Sequence, residues 1–198
     1  ILIERPKEKN FTGNIYRGKI VRLLPGMQSA FVDINDTRTA FLHITDVMER
    51  WEERNRPKRL EQVFREGDNI LAQIIRDPVK DKGAKLSTKL TYTGRFCVVV
   101  IGNTMFGISR RIEDKRIRRR LHEIGARLQK RHTGLIFRTA AGLASEEAVA
   151  HEIEELYRNA EVIADRFNEK RDPELLSGEP PLIIRAARDI LGGREEEL

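Results

Sequence analysis

Along roughly the first half of the chain, apolar and polar positions alternate in short runs separated by turn residues. Over 29–34, Ala30, Val32 and Ile34 share one face of a strand, while Phe31 and Asp33 fall on the other. Over 39–44 the parity repeats, with Ala40, Leu42 and Ile44 on one side and Thr39, Phe41 and His43 on the opposite one. The same pattern predicts strands over 14–24, closed by the turn Pro25-Gly26, over 70–76 and over 85–91. The intervening stretch DVMERWEERNRPKRLEQVFREGDN is dense in charge and lacks the alternation, which predicts an irregular or short helical connection. Five short strands, a long connection after the third, and a basic loop with Lys80, Lys82 and Lys85 before the fifth suit an OB-type β-barrel.

From Gly94 the periodicity changes. FCVVVIG reads as a buried strand and ISRRI as a half-exposed one. Over 113–130, Ile117, Leu121, Ile124 and Leu128 recur at helical spacing, with Gly125 weakening the pattern. GLIFRT predicts a further strand. Ser145 then caps a long helix whose apolar stripe is Val149, Ile153, Leu156, Ala160, Ile163 and Phe167, with Glu146 and Glu147 in its first turn. Beyond Pro173, LLSGEPPLIIRAARDILGG predicts a turn, a short apolar strand and the opening of a helix. The fold class is therefore α+β, a five-stranded OB-type barrel beside an α/β unit.

A net charge of +6 and a pI near 9.6 make an acidic polymer or surface the first partner to consider. No apolar run approaches the length of a membrane span, and nothing at the start has the form of a signal peptide. The chain opens on Ile1 rather than Met, which leaves room for an upstream element. The single cysteine, Cys97, excludes an internal disulfide or a CxxC zinc site within the chain, suits a reducing cytoplasm, and reads as a small buried hydrophobe. His43, His122, His132 and His151 show no ligand spacing, so no metal site is expected from them.

Candidate chemistry falls in two places. Phe31 and Phe41 lie on the strand faces that carry polar residues, where an aromatic ring is a platform for a nucleobase. Parity alone leaves open the opposite reading, in which both rings are core. In the second unit, Arg138-Thr139 ends a strand and enters the small-residue loop AAGLAS ahead of a helix, so a guanidinium fork stands beside a hydroxyl and free N–H groups, as a phosphate monoester requires. Arg110-Arg111 lies on or just after a strand, and Arg116, Arg118, Arg119 and Arg120 read mostly as a solvated helix face. No Ser-His-Asp spacing, GxxxxGK[ST] loop or carboxylate pair assembles a catalytic centre.

The strings GNIYRGKIVRLLPGMQSAFVDI, AFLHITD, VFREGDNILAQIIRDPVKDKGAKLST, GISRRIE and GLIFRTAAG, in this order, resemble the amino-terminal half of the ribonuclease E/G family. The resemblance implies a magnesium-dependent endoribonuclease that cuts single-stranded RNA, is stimulated by a 5′-monophosphate, and acts in the cytoplasm in RNA processing and decay, including that of rRNA and mRNA. It implies pieces of a ribonuclease-H-like subdomain over 1–12 and 173–198, an S-one-type OB barrel over 13–92 and a five-prime sensor over 93–172. It assigns Phe31, Phe41 and Lys82 to RNA, and Gly94, Val98, Arg110, Arg138 and Thr139 to the monophosphate, Gly94 and Val98 through their backbone. The catalytic aspartates with their magnesium, the zinc-linking cysteines and the homo-oligomer contacts are expected beyond Leu198, so this chain is expected to be inactive by itself. A non-catalytic OB-fold RNA-binding module is the alternative. A membrane-surface role ranks below both, because the basic helix over 113–130 has no aromatic anchor.

Overall fold

The computed structural model describes residues 11–47, 59–169 and 171–180. Its first layer is a closed barrel built from β1 (Ile15–Leu24), β2 (Ser29–Asp33), β3 (Ala40–His43), β4 (Asn69–Arg76) and β5 (Lys85–Ser87). The strands run in the order β1-β2-β3-β5-β4, and β4 closes back onto β1. All neighbours are antiparallel except β3 and β5. The alternation of the sequence dictates the barrel's interior: Ile20, Ala30, Val32, Ile34, Ala40, Leu42, Ile74 and Leu86 point inward and are buried. Burying each Val, Leu or Ile among them stabilises by about 1.5–3 kcal/mol, so a one-residue slip of any strand would turn that gain into exposure.

The second sheet has the order β6-β7-β9-β8, from β6 (Leu90–Thr93), β7 (Cys97–Ile101), β8 (Phe106–Ile108) and β9 (Thr133–Phe137). One face is covered by α1 (Lys115–Leu128) and α2 (Glu146–Glu169), which bury Leu121, Ile124, Val149, Ile153, Leu156 and Ile163 against Cys97, Val99, Leu135 and Phe137. Asp114 caps α1 by accepting from the N–H groups of Arg116 and Ile117. Ser145 Oγ accepts from the Ala148 N–H at the start of α2. Gly125 has a packing reason, since a Cβ there would run into the rings of Phe106 and Phe137.

Several expectations change. The strand expected over 85–91 divides: Lys85–Ser87 stays in the barrel, and Leu90–Thr93 opens the second sheet by pairing with β7. The break has a local cause, because Ser87 Oγ accepts from the Lys89 N–H and donates to the Asp46 carbonyl, folding the chain over at the junction. The second strand expected at ISRRI is shifted toward the amino terminus, to Phe106–Ile108, and Ser109-Arg110-Arg111 forms the turn after it, with the Ile112 N–H on the Ser109 carbonyl. Glu174–Ser177, expected as a turn, is β10, which adds antiparallel to β1 and buries Leu176. The strand and helix expected later in that stretch, most of the charged connection, and the amino-terminal piece over 1–10 lie outside the described residues.

Candidate nucleic-acid interface

The outward face of the barrel carries a transverse row of side chains. Cross-strand register places Arg22 opposite Phe31, Phe31 opposite Phe41, Phe41 opposite Lys85, and Lys85 opposite Arg76. Strand spacing makes this row roughly 19 Å long around the curve of the sheet. Two β-bulges create its ends. Register shifts between Ile20 and Arg22 and between Ile74 and Arg76 insert Val21 and Ile75, which keeps Ile20 and Ile74 inside while bringing both arginines into the row.

Phe31 is 36% exposed, and Phe41 is half-buried beside it. The reading in which both rings are core does not hold, since the barrel interior is filled by the opposite parity. The rings meet edge to face, with centroids 6.4 Å apart and planes at 65°. That arrangement leaves ring surface toward solvent, flanked by cations. Lys85 Nζ lies 2.8 Å from Asp46 Oδ2, which fixes its position at the row's edge. Lys82 is exposed, three residues before Lys85, in the turn where Val79 and Lys82 exchange backbone hydrogen bonds. The segment after it lies along β3, where the Phe41 N–H donates to the Ala84 carbonyl.

A second site stands at the end of the other sheet. Arg95, Ser109, Arg111, Ile136, Phe137, Arg138, Thr139 and Ala140 line an open cavity of about 490 Å³, in the range of small-ligand sites. It brings together three guanidinium-bearing residues and two hydroxyls. Ser109 Oγ and Thr139 Oγ1 are hydrogen-bonded at 2.9 Å, and an Arg138 Nη1–H donates to the Gly94 carbonyl at 2.6 Å. Val98 pairs with Ile136 on β9, which puts it on the cavity side of the sheet. Arg110 is exposed on the turn between Ser109 and Arg111.

Two of the helical arginines are braces and not a solvated face. Arg118 donates to the carbonyls of Ser109 and Ile112, and Arg120 to those of Ala141 and Gly142, so α1 holds both loops that flank the cavity. From α2, the Glu152 carboxylate accepts the N–H groups of Arg95, Phe96 and Cys97. Gly94 is required by this close approach, because a Cβ would run into the same carboxylate. The Gly94 N–H donates to the Cys97 carbonyl, so these backbone donors serve the loop itself. Burial, and then the Glu152 charge, push the Cys97 thiol far above its ordinary range, which keeps it protonated and unreactive.

A pattern reading missed Arg22, Arg76, Arg95 and Glu152. Bulge positions and long-range register decide the first pair, and neither can be read from alternation alone. Among the described residues no three His, Cys, Asp or Glu side chains converge, so these residues offer magnesium no ligand set. Among them, no helix is long and apolar enough to cross a membrane.

The model of the Ribonuclease E/G family matches residues 91–198. This chain belongs to the ribonuclease E/G family. Ribonuclease G of Haemophilus influenzae is 36% identical over 203 residues, spanning 99% of this chain and 41% of that protein. Ribonuclease G of Escherichia coli K12 is 35% identical over 197 residues, 96% of this chain and 40% of its own length. Ribonuclease E of Escherichia coli K12 is 34% identical over 196 residues, covering 96% of this chain and 18% of itself. The chain thus spans about two fifths of the ribonuclease G relatives it matches. The family match over 91–198, with relatives aligned over nearly the whole chain, bears out the resemblance carried by GMQSAFVDI, SRRIE and RTAAG.

Proposed function

We propose that this chain is the RNA-holding portion of a magnesium-dependent, single-strand-specific endoribonuclease that senses a 5′-monophosphate and acts in RNA processing and decay. The observation that carries the reading is the outward ring pair set in a row of cations, on a chain of this family. Unpaired bases expose faces that can stack on Phe31 and Phe41, while Arg22, Arg76, Lys82 and Lys85 meet the phosphates. A duplex hides those faces in its own stack, which gives the preference for single strands.

The cavity between Arg138-Thr139 and the 109–111 turn supplies what a terminal phosphate needs, charged forks beside hydroxyl donors. Arg138 and Thr139 hold the phosphate, Arg110 and Arg111 approach it from the turn, and Gly94 and Val98 support the nucleotide from the loop and sheet. A triphosphate is disfavoured by crowding against three cations arranged for one group. In this layout the S-one-type barrel expected over 13–92 ends at Ser87, β6 goes with the five-prime sensor that runs to 172, and 1–12 and 173–198 are pieces of a ribonuclease-H-like subdomain. Family membership alone supports magnesium-dependent hydrolysis, zinc-linked assembly into a homo-oligomer and a cytoplasmic setting.

The test uses the whole protein with single-stranded and duplex RNA of one sequence, in magnesium and in chelator. Internal cleavage of the single strand, dependent on magnesium and faster with a 5′-monophosphate than with a 5′-hydroxyl, is expected. Binding without cleavage under all conditions would support a non-catalytic RNA-binding module instead.

A further inference from the structure

Two polar clamps join the barrel to its neighbours in the second unit, one to α2 and one to β6. Arg17, on β1, is fully buried. Its Nε–H donates to the Phe167 carbonyl at 3.1 Å, Nη1 to the Asp172 carbonyl at 3.3 Å and to Glu174 Oε1 at 2.5 Å, and Nη2 to the Phe167 carbonyl at 2.8 Å and to the Arg166 carbonyl. A guanidinium has five N–H donors. All five therefore have an acceptor in 166–174, and the charge sits at the carbonyl end of α2, where the helix dipole favours a cation. The Phe167 ring lies 5.5 Å from the same guanidinium. Gln73, buried on β4, is the other clamp. Its amide accepts the Thr91 N–H at 2.7 Å and donates to the Thr91 carbonyl at 3.0 Å, imitating a strand partner for β6.

A buried ion contributes less to stability than an apolar residue of the same size and shape, and its best-attested use is to fix one register among several. Here Arg17 fixes the register of α2 against the barrel, and Gln73 that of β6 against β4. The same helix carries Glu152, which shapes the loop behind Arg138, and Glu152 and Phe167 stand about 22 Å apart along its axis. One end of α2 is thus pinned to the RNA-binding barrel and the other sets the phosphate cavity.

We propose that Arg17 and Gln73 are positioning residues that hold the ring row and the arginine cavity at one fixed span, so that a single RNA engages both. This rests on the reading of the two sites given above. Two linked contacts gain affinity through effective concentration only when the distance between them suits the tether. Loosening the clamps broadens that distance and lowers the gain while leaving each contact intact.

The experiment measures, on the whole protein, the affinity of a single-stranded oligomer long enough to reach both sites, with a 5′-monophosphate and with a 5′-hydroxyl. A 5′-phosphorylated dinucleotide, which reaches only the cavity, is the control. In the wild type the phosphate improves binding of the long oligomer about tenfold. Arg17→Met and Gln73→Leu each reduce that gain at least threefold, while affinities for the dinucleotide and for the hydroxyl-ended oligomer stay within twofold. Arg17→Lys, with the charge kept and fewer donors, falls between. An undiminished gain in both Arg17→Met and Gln73→Leu overturns the proposal. If Arg17→Met does not fold, Gln73→Leu and Arg17→Lys decide by the same comparison, and an undiminished gain in both overturns it. Absence of any gain in the wild type removes the reading beneath it, and is told apart because it precedes any substitution.

Discussion

At the scale of single residues, the two rings stand outward because small and branched aliphatic side chains already fill the barrel. Ala30, Val32 and Leu42 take the interior, which turns Phe31 and Phe41 outward; alternation leaves open which way their shared face points, although the pairing of the rings on that face was legible. Arg22 and Arg76 were not, because each enters the row only through one inserted residue. Replacing Phe31 or Phe41 by Ala is expected to weaken single-strand RNA binding by about 1–3 kcal/mol per ring, with the thermal unfolding transition retained. Titration of each variant with a labelled oligomer, alongside circular dichroism, checks this; a variant that unfolds but binds no worse when folded would return the rings to a structural role. Cys97 gives a second prediction. Its thiol is pushed upward in the folded state, so the native protein holds that proton more tightly than the unfolded chain. The resulting stability is complete below about pH 8.5 and declines above it, by up to about 1.4 kcal/mol per pH unit. Urea midpoints measured across pH 8–10 should fall, and Cys97→Ala should flatten that fall.

Elements were legible where the period ran long. The stripes of α1 and α2 and the cap Ser145 lie in the chain as simple signals, and both helices form where those signals stand, with Asp114 capping α1 just inside its expected start. Asp114→Ala should cost about 1 kcal/mol, read as a lowered urea midpoint with an unchanged slope. Short strands were harder. The run over 85–91 held one alternation across two sheets, because Ser87 and Lys89 fold the chain at a point that the pattern does not mark. Glu174–Ser177 offers too few residues to reveal a period, and only pairing with β1 makes it a strand. The role of Arg118 and Arg120 was hidden for a related reason, since a charged helix face reads as solvated until the loops it braces are in place.

For the whole molecule, a net charge of +6 on a family of RNA-cutting enzymes makes the salt dependence of binding a direct reading of phosphate contacts. For single strands the logarithmic slope is about −0.7 per phosphate neutralised. Arg22, Arg76 and Lys85 of the row, with Lys82 in the adjoining turn, should therefore give a slope near −3, and Arg22→Gln combined with Arg76→Gln should reduce it by about 1.4. The central claim is that one RNA is held at two places, by rings on the barrel and by the arginine cavity beyond them. The most direct measurement is the affinity of one single-stranded oligomer, 5′-monophosphorylated or 5′-hydroxyl, for the wild type, Thr139→Ala and Phe31→Ala. The account predicts that the wild type prefers the monophosphate, that Thr139→Ala loses much of that preference while keeping its affinity for the hydroxyl form, and that Phe31→Ala weakens both forms together. Equal affinity of the wild type for the two oligomers, with Thr139→Ala indistinguishable from it, would contradict the account.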